Sequence, residues 1–136
     1  MKKALGAATL GVLLSGLLAV VGCHSAFVDA VVRNQTAQPI SLMEVDYPSA
    51  SFGTQALAPG AEFHYRFKVL GSGPAKFIWT DTAQVAHQAT GPDLAEGDEG
   101  RLTVTLAQDG VVWRAKFKNR TLAPLLTQPK ALMIGK

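Results

Sequence analysis

The chain has 136 residues, a formal net charge of +3 and 48% apolar residues, with a single cysteine. That length fits one domain, and one cysteine excludes a disulfide framework. Of the thirteen basic residues, Lys2 and Lys3 precede an uncharged apolar run; the other eleven face ten acidic residues, leaving no nucleic-acid footprint.

The run from Ala4 to Gly22 ends in Leu18-Ala19-Val20-Val21-Gly22-Cys23. A positive start, an apolar stretch and a small-residue end are the physical parts of a secretory signal. The run is also long enough to score as a span, so an uncleaved anchor is the rival reading. Gly6, Thr9, Gly11, Ser15 and Gly16 dilute the run, and the cysteine stands at its end. The segment resembles the signal peptide and lipobox of bacterial lipoproteins. That resemblance implies cleavage after residue 22, acylation of Cys23 and anchoring in a membrane. Val20 and Val21 depart from the commonest lipobox, in which leucine and a smaller residue stand. His24 follows Cys23 where aspartate would signal inner-membrane retention, so the resemblance implies a cell-envelope protein, lipid-anchored in the outer membrane and facing the periplasm. Acylation with two chains suffices for stable anchoring.

Residues 23–121 read as one all-β domain after that N-terminal signal helix. Phe27 to Arg33 is rich in β-branched residues and ends in the turn-like Asn34-Gln35-Thr36, which also matches a glycosylation sequon, as does Asn119-Arg120-Thr121. Ile40 to Tyr47 reads as a strand whose alternation slips, since Ile40 and Leu42 share one parity and Met43, Val45 and Tyr47 the other. A β-bulge produces such a slip. Ser51 to Leu57 is a shorter candidate. In Glu62 to Val69, Phe63, Tyr65, Phe67 and Val69 alternate strictly with polar residues, which predicts a strand with those four facing inward. Lys76 to Thr80 and Gln84 to Thr90 are shorter strands. Leu102, Val104 and Leu106 alternate with Arg101, Thr103 and Thr105; Val111, Trp113, Ala115 and Phe117 follow the same pattern beyond Asp109-Gly110, a strong hairpin signal. Pro48, Ala58-Pro59-Gly60, Gly71-Ser72-Gly73-Pro74 and Gly91-Pro92 mark turns. Seven or eight short strands at this spacing suggest a β-sandwich or a small barrel, and an immunoglobulin- or fibronectin-like β-sandwich is the expectation. Residues 122–136 hold two prolines among leucines and form a tail, docked or loose.

No motif supports catalysis. A Gly-x-Ser-x-Gly elbow and a phosphate-binding glycine loop are missing, and Cys23 is assigned to lipid. A hydrolase would need a pocket where a carboxylate and a histidine converge, and none is expected. His24, His64 and His87 form no short ligand spacing, and the acidic loop Asp93 to Gly100 does not match the calcium-loop pattern, so no metal or other cofactor is expected. Trp79, Trp113 and Phe117, with Phe63, Tyr65 and Phe67, read as core.

The best surface feature is basic. Arg114, Lys116, Lys118 and Arg120 share one parity on the last strand, and Arg66 and Lys68 line the wet face of another. Were those strands neighbours, they would form a face for an anionic partner; the ordinary alternative is solubility and edge protection. The tract Val45-Asp46-Tyr47-Pro48-Ser49-Ala50-Ser51-Phe52-Gly53, with Phe63-His64-Tyr65-Arg66-Phe67 and Gly97-Asp98-Glu99-Gly100, is similar to tracts of small bacterial lipoproteins. This similarity covers most of the mature chain but brings no activity, so Cys23 alone carries over as a functional residue. The sequence therefore suggests a non-enzymatic, membrane-anchored envelope domain that binds a protein partner or supports an envelope assembly. The alternative is a module that binds an anionic or carbohydrate envelope polymer through its basic face.

Overall fold

The computed structural model describes residues 24–132. The expected signal helix and Cys23 lie outside the described residues. Among those described, ten strands form two five-stranded sheets packed as a β-sandwich. Sheet A has the order β4-β1-β7-β8-β9 and sheet B the order β10-β6-β5-β2-β3. The strands of sheet A are β1 (Val28–Asn34), β4 (Glu62–Phe67), β7 (Gly100–Ala107), β8 (Gly110–Phe117) and β9 (Leu125–Thr127). Those of sheet B are β2 (Ile40–Tyr47), β3 (Ala50–Leu57), β5 (Gly73–Thr80), β6 (Ala86–Leu94) and β10 (Lys130–Ala131). All neighbouring strands run antiparallel except β1 and β7, which pair in parallel.

Period-two alternation builds the core. Leu102, Val104 and Leu106 from β7 meet Val111, Trp113, Ala115 and Phe117 from β8, all buried, while the intervening residues face outward. Phe77, Met43 and Leu94 fill the facing side from sheet B. Each buried aliphatic or aromatic side chain contributes about 1.5–3 kcal/mol, and 22 buried residues form one continuous cluster. Trp113 spans the layers, and its Nε1 donates to Thr127 Oγ1 at 2.9 Å.

The slip in β2 is a bulge. Register against β5 shifts between Ser41 and Glu44, and Leu42 takes a left-handed conformation (φ 49°) that turns its side chain outward. Gly53 on β3 lies opposite; a Cβ there would sit 2.0 Å from the Met43 carbonyl oxygen.

Three expectations need correction. Gly91-Pro92 is not a turn but lies inside β6. Both residues oppose Ala75 at a register shift, and β10 pairs only with His87 and Gln88, so Pro92 interrupts no ladder on either side. Tyr65 has the inward parity but is 43% exposed, because β4 is an edge strand. Among the described residues there are ten strands instead of seven or eight, in part because the tail supplies two. After the tight return at Lys118-Asn119, the chain runs back along β8 as β9, then crosses to pair as β10 with β6.

Asn34 ties one end of the sandwich. Its buried side chain donates to the carbonyls of Gln38 (2.8 Å) and Leu57 (3.1 Å) and accepts from Thr36 N–H and Oγ1. Its sequon is therefore closed to modification in the folded domain.

Candidate functional site: a basic hollow on sheet A

The outer face of sheet A is written in its register. One rank across the sheet reads Arg66, Asp29, Arg101 and Lys116; the next reads His64, Val31, Thr103 and Arg114. β4 and β8 are thus not neighbours, but β1 and β7 place their basic residues on one face. The parallel β1–β7 pairing contributes Arg101, a residue not singled out from the sequence although its alternation with Leu102 already turned it to water.

A hollow of about 660 Å³ lies on this face, lined by Arg101, Thr103, Arg114, Lys116 and Lys118 and rimmed by the returning segment from Thr121 to Pro124. A second hollow of about 450 Å³ adjoins it and shares Asp29 and Arg101. Two carboxylates line the larger hollow, and both already face cations. Asp29 Oδ1 lies 3.5 Å from Arg66 Nε, and Glu99 Oε1 lies 2.9 Å from Lys118 Nζ. His24 Nε2 meets the same Glu99 oxygen. Hydrogen bonding from Lys118, and then from His24, holds the Glu99 carboxyl below its ordinary pKa. Arg101, Arg114 and Lys116 have no carboxylate within salt-bridge distance among the described residues.

The six residues expected to form an anionic-partner face therefore separate. Arg114 and Lys116 lie in the hollow side by side on β8, and Lys118 stands at its rim beyond the strand end. Arg66 lies across β1 and bonds to Asp29, while Lys68 is exposed just past β4. Arg120 leaves the group altogether. β8 ends at Phe117, and Arg120 turns back so that its Nε and Nη2 donate to the Asp98 carboxylate at 3.2 and 2.7 Å. Its Nη2 also donates to the Asp93 carbonyl at 2.9 Å. The Asp98 hydrogen bond raises the Arg120 pKa further. The acidic loop is thus an internal clamp: Asp98 is buried, accepts from Ala95 N–H at 2.8 Å and has no carboxylate oxygen left for a cation. Among the described residues no group of three or more His, Cys, Asp or Glu side chains converges as a metal site.

At one end of the sandwich a carboxylate and a histidine do converge, contrary to expectation. His87 Nε2 lies 2.7 Å from Asp81 Oδ2 beside a cleft of about 410 Å³, with the imidazole stacked on Trp79. The pair results from the β5–β6 turn: Asp81 Oδ1 accepts from the N–H groups of Ala83 and Val85, and His87 follows on β6. The His87 hydrogen bond and these backbone donors lower the Asp81 pKa. Among the described residues the side-chain hydroxyls lining the cleft are those of Thr36 and Thr82.

No protein-family model matches the chain, and neither does any curated protein or solved structure. Function rests on the residues themselves.

Proposed function

We propose that this chain is a lipid-anchored protein of a bacterial cell envelope, held by Cys23 in the outer membrane and facing the periplasm. Its sandwich acts as a non-enzymatic binding domain, and the hollow on sheet A receives an anionic group of an envelope polymer. The observation that carries this reading is the convergence of Arg101, Arg114 and Lys116 on one concavity without carboxylate partners. Like charges held together cost energy that an anionic ligand offsets, and a concave basic surface concentrates such ligands. Guanidinium groups add bidentate recognition of phosphate or carboxylate.

The anchor reading draws on the lipobox-like segment and on the position of His24. His24, the first described residue, bonds to Glu99 at the rim of the hollow. A non-enzymatic role draws on the sequence, which holds neither a nucleophile elbow nor a phosphate-binding glycine loop. A protein partner is the second reading, favoured by the uncharged edge strand β3.

The test is equilibrium binding to lipopolysaccharide and to neutral dextran, comparing the protein with a variant carrying Arg101→Glu, Arg114→Glu and Lys116→Glu. All three side chains are solvent-exposed, and circular dichroism checks that the variant keeps its fold. The proposal expects lipopolysaccharide binding to weaken by at least about tenfold. Equal binding by both proteins, or equal affinity for dextran, overturns it.

A further inference from the structure

The two sheets end on four edge strands, and three of these carry the usual protection against pairing with another chain. β4 presents Glu62, His64 and Arg66, charges that shut out a neutral strand and admit only one that sets the opposite sign against them. β9 has three residues and β10 two, with Pro129 between them. β3 differs. It runs for eight residues, Ala50–Leu57, without a charge or a proline. Among the described residues its one strand neighbour is β2. Among the described residues its free edge makes no backbone hydrogen bond, and one side-chain bond, from Asn34 to the Leu57 carbonyl, reaches its end. A long neutral edge of this kind is a template for strand addition.

We propose that the occupant is a second copy of this chain, with two β3 strands pairing antiparallel about a two-fold axis to join both B sheets into one. The charge pattern selects this partner. Antiparallel pairing of β3 with itself sets no charge against another, and the small residues Ala50, Ser51, Gly53 and Ala56 leave the backbone open to approach. The same axis brings the β4 edges of the two copies toward each other in the A sheets. β4 reads Glu-Phe-His-Tyr-Arg-Phe, so reversal turns Glu62 of one copy, which bonds Arg33 within its own chain at 2.7 Å, toward Arg66 of the other, which lies 3.5 Å from its own Asp29. β3 and β4 lie at the same level of this edge, since Phe52 stacks on Tyr65 at 4.6 Å and on Phe63 at 6.3 Å. Pairing covers the exposed Tyr65. The interface is self-complementary, as a two-fold contact requires.

The symmetry has a consequence for the basic hollow. A two-fold relating antiparallel strands of one sheet stands perpendicular to that sheet, so both copies turn the outer face of sheet A the same way. Two hollows on one side of the dimer can engage one polyanion together, and such linkage raises avidity without new contacts. The dimer itself does not depend on the identity of the ligand.

The experiment is sedimentation equilibrium of the full-length protein purified from membranes in detergent, beside a Ser51→Lys/Gln55→Lys variant and a Lys130→Glu control on a different strand. Both β3 positions are exposed, so circular dichroism and thermal unfolding should match the parent. The parent and the control should sediment as dimers and the β3 variant as a monomer. A monomeric parent overturns the inference, as does a β3 variant that stays dimeric. Loss of lipopolysaccharide binding with the dimer intact would count against the proposed ligand alone.

Discussion

Replacing Gly91 by alanine tests how the two sheets meet. A Cβ on Gly91 would lie 2.6 Å from each of three ring atoms of Trp113, where carbon atoms normally rest about 3.5–4.0 Å apart. The ring must therefore retreat by about 1 Å in a close-packed interior. Trp113 has little room to do so: it is 1% exposed and its Nε1 is held by Thr127. Overpacking of this kind costs about 1–3 kcal/mol. Alanine also restricts the unfolded chain and regains about 0.4–1 kcal/mol. The net expectation is a loss of about 1–2 kcal/mol, or roughly 4–15 °C in Tm for a domain of this size. Chemical denaturation of Gly91→Ala, Trp113→Leu and the double variant measures it. Trp113→Leu is costly alone, by about 2–4 kcal/mol, but removes the clash, so Gly91→Ala should be neutral or stabilising in that background. Strict additivity, or a stabilised single variant, refutes the packing argument.

Asp98→Asn leaves the partly buried Arg120 guanidinium without its counter-charge and should cost about 3 kcal/mol, read by denaturant midpoint; an unchanged midpoint would show that the clamp carries no stability. Asp46 predicts a pH effect. Burial first, and then Glu44 beside it, raise its pKa from the ordinary 3.8 to about 6. The folded state therefore holds a proton that the unfolded state releases, so the contribution is full below about pH 4 and is lost as pH rises through about 6. The whole shift corresponds to about 3 kcal/mol, which solvent at this half-buried site reduces to about 1 kcal/mol. Asp46→Asn should remove that slope and stabilise the domain at neutral pH, as thermal unfolding across pH 4–8 would show. Cys23→Ser should abolish acylation, and intact mass spectrometry of the membrane-extracted protein should show the parent starting at Cys23 with added acyl mass. An uncleaved, unacylated parent would contradict the lipid anchor.

The strands were legible where alternation is strict. β4, β7 and β8 follow from residue parity alone, and the parity slip at Leu42 marks the bulge in β2. Gly91-Pro92 misleads because the two residues that usually break a strand occupy a bulge on a strand with a free edge. That permission comes from tertiary pairing and leaves no local trace. β9 and β10 are too short to show a period. For the site, parity turns Arg101, Arg114 and Lys116 outward, but that they share a hollow depends on the parallel β1–β7 pairing, a long-range fact. Arg120 fits the parity of β8 yet leaves it, because the buried Asp98 carboxylate forms a stronger contact than the continued strand offers. The Asp81–His87 contact arises from a side chain that closes its own turn, which residue spacing does not reveal.

The most direct test of the basic hollow as a binding site is lysine protection. The protein is treated with an amine-reactive reagent with and without lipopolysaccharide, and modification is read at each lysine by peptide mass spectrometry. Lys116 and Lys118 border the hollow, whereas Lys76 and Lys130 lie on sheet B. The account predicts that the polyanion shields Lys116 and Lys118 and leaves Lys76 and Lys130 as reactive as before. Equal modification of all four lysines with and without the polyanion would contradict it.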